Sequence, residues 1–122
     1  MVKVADETWL GTALLHHEHP EREDFAVQEI VDRIGQERIH PTFRPGVIIH
    51  VTQHAVANKR PNPATYRMLF ETGRGRRRLF RHSDLAHPYR QGKILPERQD
   101  IPVQYAYLLD WYHNKYDHYA LP

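Results

Sequence analysis

Five arginines lie between positions 74 and 81, grouped around glycines. They belong to the segment from Tyr66 to Arg81, in which two short apolar-rich runs alternate with a period of two and so predict a β-hairpin. Gly73 and Gly75 can adopt the positive φ values that a tight turn requires. Guanidinium groups are suited to contact phosphate oxygens. The segment therefore predicts a hairpin whose tip binds phosphate.

Charge is divided unevenly along the chain. Residues 59 to 98 contain eleven Lys or Arg and three acids, a net charge of +8, whereas the rest contains six and twelve, a net charge of −6. A one-sided positive field attracts polyanions. A charge run is usually a solvated surface. These arginines surround glycines at a turn and are not interleaved with acids, which favours nucleic acid as the partner.

Ten histidines raise the question of a metal site. Zinc requires three or four converging ligands. Three groups have usable spacing: His50 with His54; His16, His17 and His19 around Glu18; and His113 with Asp117 and His118. None is a known signature, because Val51 stands where a metalloprotease helix has its general-base glutamate. We expect no metal and no cofactor.

Other catalytic chemistry has little support in the sequence. Ser83 is the only serine, there are no cysteines, and neither a Gly-x-Ser-x-Gly elbow nor a phosphate-binding glycine loop with a lysine is present. A nuclease would need several acids around a metal, and the basic block contains only three. We expect that the protein is not an enzyme, with a His-based metal-dependent nuclease as a minor alternative.

Length and composition predict a single domain over residues 1–122, with 40% hydrophobic residues. The first residues are too polar for a secretory signal, and no apolar run approaches the ~20 residues that span a bilayer. We expect a cytoplasmic protein without a membrane partner.

Apolar periodicity predicts two helices in the first third of the chain. The first covers about residues 6 to 17, with Asp6 as its N-cap. The second begins at Asp24 or Phe25. Their apolar faces consist of Trp9, Leu10, Ala13 and Leu14 in the first helix, and of Val27, Ile30, Val31 and Ile34 in the second.

A third helix is predicted from Pro45 to Asn58, because proline suits a first helical turn. At 100° per residue, one face of this helix is apolar and the other is polar. The inward face contains Val47, Ile48, Val51 and Ala55, and the outward face contains His50, Gln53, His54 and Ala57.

The C-terminal third combines a long loop with a last helix. Residues 82 to 101 show no period, and Tyr89, Ile94 and Leu95 are expected to anchor this loop on the core. A helix from Pro102 to about Tyr116 has aromatic residues on more than one side. These aromatics indicate either a homodimer through this helix or a helix that wraps into its own domain with its tyrosine hydroxyls in water.

Three helices followed by a basic hairpin resemble the winged helix-turn-helix DNA-binding superfamily. The resemblance rests on the second helix from Phe25 to Ile34, the third from Pro45 to Asn58, and the wing from Tyr66 to Arg81. The chain is also similar to uncharacterised bacterial domains with a comparable wing. The resemblance to the winged helix-turn-helix superfamily implies an α+β fold with a winged-helix core over residues 6–81 and an extension over residues 82–122. It also implies that the third helix lies in the major groove.

The DNA-binding hypothesis selects polar side chains of the third helix and cations of the basic block. Gln53 could pair with adenine, and an arginine of the wing could enter the minor groove. The predicted contacts are His50, Gln53, His54, Asn58, Lys59, Arg60, Arg67, Arg74, Arg76, Arg77, Arg78 and Arg81. We expect a transcriptional regulator that binds double-stranded DNA. The alternatives are a winged-helix adaptor that binds protein and, with less support, RNA binding.

Overall fold

The computed structural model describes residues 2–61 and 63–118, in which four helices and a three-stranded antiparallel sheet give the α+β architecture that the sequence predicts. The strand order in the sheet is β1-β3-β2. In chain order the elements are α1 (Val4–Glu18), β1 (Phe25–Ala26), α2 (Val27–Glu37), α3 (Gly46–Ile49, continued by a π-helical turn at His50–His54), β2 (Leu69–Gly73), β3 (Arg76–Leu79) and α4 (Ala106–Trp111, continued by a π-helical turn at Tyr112–Tyr116). Short 3-10 turns lie at Arg98–Asp100 and Val103–Tyr105.

Helix α1 is the centre of the fold. Every residue from Ala5 to His16 is buried, whereas the sequence predicted a helix with one apolar face. The predicted core residues of this helix are buried, but so is its opposite side, because α2, α3 and α4 all pack against it. A Cβ atom at Gly11 would collide with the side chain of Ile34, so this glycine allows α2 to approach closely.

Two acids on α1 are buried as ion pairs. Asp6 is not the predicted N-cap, because the helix begins at Val4 and Asp6 lies in its first turn, fully buried. Its Oδ1 atom is 2.8 Å from Lys93 Nζ, which is an ion-pair distance, but the angles of this contact are not those of a hydrogen bond. Glu7 is 2.7 Å from Arg44 Nη2. A buried charge needs such a partner, so these pairs fix two loops onto α1.

Strand β1 was not predicted. The second helix was expected to begin at Asp24 or Phe25, but Phe25 belongs to a two-residue strand that pairs with β3, and α2 begins at Val27. Two residues are too few to show a period of two in the sequence. The helix start is fixed by Glu29, whose carboxylate accepts the Ala26 N–H at 2.9 Å.

The long loop packs onto the core at two of its three predicted anchors. Ile94 and Leu95 are partly buried against the core, whereas the prediction for Tyr89 was wrong, since this ring is 67% exposed. Gly92 brings the loop against the backbone before β2, because a Cβ at this position would lie 2.5 Å from the Thr65 carbonyl oxygen.

The C-terminal helical segment forms where it was predicted, with Tyr105, Leu108, Leu109, Tyr112 and Tyr116 buried. The Tyr116 hydroxyl donates to the Leu79 carbonyl at 2.6 Å, and the Tyr112 hydroxyl donates to the Phe80 carbonyl. The expectation of hydrated hydroxyls was therefore wrong for these two rings. Tyr107 is 46% exposed, and a homodimer through this helix stays a prediction.

None of the helices in residues 2–61 and 63–118 combines the length and the apolar character needed to cross a membrane.

Candidate nucleic-acid interface

The third helix is shorter than predicted. It begins at Gly46 and ends with the π-helical turn at His54. Ala57, which was expected on the outward face of the helix, therefore lies after the helix end. Ala57 is fully buried, and its N–H donates to the Leu69 carbonyl at 2.7 Å. The predicted inward position of Ile48 was also wrong, because its side chain is 48% exposed. The buried positions predicted at Val47, Val51 and Ala55 are confirmed.

The outward face of this helix consists of Ile48, Ile49, Thr52 and Gln53. Both isoleucines are more than two fifths exposed, Thr52 is half-buried, and Gln53 is exposed as predicted. The Thr52 hydroxyl donates back to the Ile48 carbonyl at 2.9 Å, so it is engaged with its own helix. Gln53 is therefore the amide on this face that is free to contact a base or a phosphate.

The two histidines of the helix are half-buried and turn towards each other. Their ring centroids are 5.2 Å apart, and the His50 ring also lies 5.9 Å from Tyr66. His50 Nδ1 donates to the Gly46 carbonyl at 2.8 Å, and burial lowers the pKa of His50. Nδ1 of His54 is buried without a hydrogen-bond partner among the described residues. The structure thus groups these histidines with each other and not with the exposed Gln53.

Two buried arginines hold the C-terminal end of the third helix. Arg77 donates from Nε to the Val51 carbonyl at 3.0 Å and from Nη2 to the Thr52 carbonyl at 3.4 Å. Arg90 donates to the next two carbonyls, at positions 53 and 54, both at 2.8 Å. The last carbonyls of a helix lack partners within the helix, and positive charge is favourable at this end of its dipole.

Arg90 also donates to the carbonyls of Lys59, at 2.6 Å, and Tyr66, at 2.8 Å. It is 3% exposed, and burial lowers the pKa of this guanidinium. Reasoning from sequence missed Arg90. It lies in an aperiodic loop, more than thirty positions after the carbonyls of the helix that it holds, and no local pattern marks it.

Three of the five hairpin arginines point into the fold. Arg77, Arg78 and Arg81 are 4%, 7% and 7% exposed. Arg78 forms two hydrogen bonds of 2.8 Å with the Asp84 carboxylate, and Arg81 Nε donates to the Tyr116 carbonyl at 2.9 Å. The structure places these three predicted DNA contacts inside the protein, where each has partners within the chain.

The tip of the hairpin retains exposed positive charge. Arg74 is exposed and has no ion pair among the described residues, and the next residue, Gly75, has the left-handed φ of 71°. The Arg76 side chain is 40% exposed and pairs with Asp24 at 2.7 Å. Asp24 also accepts the Thr72 hydroxyl at 2.6 Å, so the tip is tied to the segment before β1.

The remaining predicted contacts divide into structural and accessible side chains. Asn58 binds the backbone of Glu71 through two hydrogen bonds of 3.0 and 2.8 Å, and so extends the edge of β2. Arg67 donates to the Gly92 carbonyl at 2.8 Å. Lys59 is 3.3 Å from the Glu71 carboxylate but more than a third exposed, and Arg60 is exposed without an ion pair among the described residues.

An open depression of about 550 Å³ lies at the end of the third helix, lined by Gln53, Lys59, Arg60 and Pro61. It places one amide and two cations around the same space. An amide offers both a donor and an acceptor, and the cations offer only donors and positive charge. The arrangement suits a polyanion with hydrogen-bonding groups.

The histidine groups considered from the sequence do not form a metal site in the described part of the chain. No group of three or more His, Cys, Asp or Glu side chains is placed there to hold an ion. His16 accepts a backbone N–H in the core, and His17 packs on the rings of Tyr107 and Trp111.

Comparison with known proteins gives no relative for this chain: no family model matches it, and no curated protein or solved structure matches it with significance.

Proposed function

We propose that the protein binds double-stranded DNA, with its third helix directed at the major groove and the tip of its hairpin at the backbone or minor groove. The order of three helices followed by an antiparallel hairpin supports this proposal, because winged helix-turn-helix domains have the same layout. Strand β1 joins the hairpin to the segment between the first two helices. The DNA-binding protein would act as a transcriptional regulator.

The observation that carries the proposal is the depression lined by Gln53, Lys59 and Arg60. Gln53 can pair bidentately with adenine, which discriminates between bases by ~1–3 kcal/mol. The two cations beside it can neutralise phosphates. An exposed amide next to exposed cations at the end of a helix combines a base-reading group with backbone-binding groups.

The proposed interface is smaller than the sequence alone predicted. It includes the accessible side chains at the end of the third helix and at the hairpin tip, and it leaves out the arginines that are buried. Its members are Gln53, Lys59, Arg60, Arg74 and Arg76.

The first test replaces Arg60 and Arg74, the arginines of the proposed interface that have no ion pair among the described residues. The double variant Arg60→Ala/Arg74→Ala should bind a random-sequence duplex more weakly and with a slope of log affinity against log salt that is smaller by about 1.8, at ~0.9 for each lost phosphate contact. The folded state should persist, because neither side chain has a partner among the described residues. Fluorescence anisotropy over a series of salt concentrations measures both quantities.

The matched control is Arg98→Ala/Lys115→Ala, which removes the same charge from two exposed positions outside the proposed interface. Its salt slope should equal that of the unmodified chain. Equal slopes for both double variants would contradict the proposal, since the loss would then reflect net charge alone. Variants of Arg77 or Arg78 cannot replace this test, because these side chains are buried in the fold.

A second function is favoured by one specific observation. Phe43, Ile48 and Ile49 are between 41% and 48% exposed at the start of the third helix. Large exposed apolar side chains are typical of surfaces that bind protein. A winged-helix adaptor would show no affinity for the random duplex at low salt, where non-specific binding to DNA is strongest. This result would reject DNA binding and leave the adaptor function.

A further inference from the structure

The outward face of the third helix is more apolar than contact with phosphates requires. Ile48 and Ile49 are 48% and 41% exposed, and they precede Gln53 on this face. The Thr52 hydroxyl donates to the Ile48 carbonyl at 2.9 Å, so the face presents two isoleucines and one free amide. Phosphate oxygens are bound by cations and hydrogen-bond donors, which gives the two isoleucines no role in such contacts.

The helix that carries this face is held firmly on its other side. Val47 and Val51 are fully buried in the core. Arg77 and Arg90 bind the main-chain carbonyls at positions 51 to 54. Side chains on a helix that is fixed in this way keep defined positions, as specific recognition requires.

The segment that contains the third helix has cations and no acids. No aspartate or glutamate occurs between Glu37 and Glu71, and Lys59 and Arg60 line the depression beside Gln53. A face with adjacent cations and no acid in its own segment is complementary to a polyanion. This charge pattern favours DNA over an apolar protein surface as the partner of the two isoleucines.

The major groove of DNA offers an apolar group at one base, the C5-methyl group of thymine. Every A·T pair displays this methyl group beside the N6 and N7 atoms of adenine, with which an amide side chain can pair. Apolar side chains are suited to contact the methyl group. Two isoleucines next to one amide therefore match the groups that A·T pairs present.

The spacing of these side chains along the helix matches neighbouring base pairs. Ile49 and Gln53 are four positions apart, and helical side chains at this spacing have Cβ atoms about 5–6 Å from each other. Successive bases of one strand are ~3.4 Å apart along the DNA axis. The isoleucine and the amide therefore reach base pairs that are one or two steps apart.

We propose that the third helix recognises A·T base pairs in the major groove. Ile48 and Ile49 contact the methyl groups of thymines next to the adenine that pairs with Gln53. The inference rests on the proposed function and adds to it the class of base pair that the protein prefers.

Replacing thymine by uracil removes the methyl group and leaves the hydrogen-bonding groups of the base pair in place. The probes are two short duplexes of alternating adenine and thymine, or of alternating adenine and uracil, with the same deoxyribose backbone. Fluorescence anisotropy should show about fourfold tighter binding of the thymine duplex or more, since one buried methyl group contributes about 0.8 kcal/mol. Equal affinities overturn this inference and leave DNA binding intact. Failure to bind either duplex at low salt overturns both, and then favours the protein adaptor.

Two double variants test whether the preference comes from the third helix. In Ile48→Ala/Ile49→Ala the thymine and uracil duplexes should bind equally. Val103→Ala/Tyr107→Ala shortens two exposed side chains at the start of the C-terminal helical segment and should keep the preference. Circular dichroism checks that both chains are folded. A preference that survives in the folded isoleucine variant overturns the inference, because it then comes from the shape of the DNA.

The cations of the interface should give the opposite pattern. Arg60→Ala/Arg74→Ala should weaken the binding of both duplexes by the same factor and keep their ratio, because phosphate contacts contain no sequence information. A ratio that falls to one in this variant overturns the assignment of thymine recognition to the isoleucines.

Discussion

Burial divides the arginines of the hairpin into two groups. Arg74 is exposed at the hairpin tip, while Arg77, three positions later, is 4% exposed and holds the end of a helix. A buried guanidinium is stable only when its donors have partners, and Arg77 has main-chain carbonyls and the Glu71 carboxylate, 3.2 Å away. Adjacent arginines in one charge run therefore contribute to different properties of the molecule.

Replacing Arg77 should destabilise the fold, unlike replacing Arg74. We expect Arg77→Ala to lower the free energy of unfolding by about 3 kcal/mol, because Glu71 and the helix carbonyls lose a buried partner. Arg74→Ala, at an exposed position, should change it by less than about 0.5 kcal/mol. Urea denaturation of the two variants measures the difference. If both were equally stable, the assignment of Arg77 as a structural residue would be wrong.

At the scale of elements, the third helix depends on distant parts of the chain. Its apolar stripe predicted the buried Val47 and Val51, but not where the helix ends. The end is set by two arginines from distant parts of the chain. Arg77 of β3 lies 26 residues after Val51, and Arg90 of the long loop lies 36 residues after His54. Periodicity reports only neighbours within a few turns, so contacts of this kind leave no local signal.

The parts of the fold that could be predicted are those whose sequence pattern is local. The long helices and the hairpin have enough residues to show a period, and they form where the sequence placed them. Strand β1 consists of Phe25 and Ala26 alone and exists because β3 lies beside it. At the candidate site, Gln53 could be identified from helix phase, whereas the internal partners of Arg78 and Arg81 depend on tertiary packing.

Arg90 can be tested as the residue that holds the helix end. Arg90→Met keeps a long side chain but removes every donor, so four main-chain carbonyls lose their partner. We expect a loss of about 3 kcal/mol or more in the free energy of unfolding. Hydrogen exchange should also accelerate at the amides of residues 55 to 57.

The matched control for Arg90 is Arg98→Ala, which breaks an exposed pair with Asp110 at 2.7 Å. Exposed pairs contribute little, so this variant should lose less than about 1 kcal/mol. Similar losses in both variants would show that the contacts of Arg90 have no special structural importance.

At the scale of the whole molecule, His16 connects elements that are far apart in the chain. Its ring lies on α1, accepts the N–H of Leu79 in β3, and packs edge-on against Phe25 in β1 at 4.9 Å. Tyr116 of the C-terminal segment lies 4.8 Å away on another side. The neutral ring is thus a junction between the sheet and the segment that follows the hairpin.

Acid should destabilise the molecule through this junction. The pKa of His16 is about 3 in the folded protein and 6.5 when unfolded, so between these values only the unfolded chain binds the proton. Unfolding then becomes easier as the pH falls, by about 1.4 kcal/mol per pH unit below 6.5. Arg22 and the Ala26 N–H lower the pKa of Glu29 to about 2. Glu29 therefore reduces the free energy of unfolding only when the pH falls below 4.5, its pKa in the unfolded chain.

The measurement is the free energy of unfolding between pH 7.5 and 4.5 for the unmodified chain and for His16→Gln. The variant should be less stable at pH 7.5, where it lacks the ring contacts, but its stability should decline less steeply between pH 6.5 and 4.5. His50, whose pKa burial also lowers, is present in both chains and cancels in the comparison. His113→Gln removes an exposed histidine and should follow the unmodified chain. Parallel curves for His16→Gln and the unmodified chain would show that His16 does not govern acid stability, because the folded ring would then take up its proton as readily as the unfolded one.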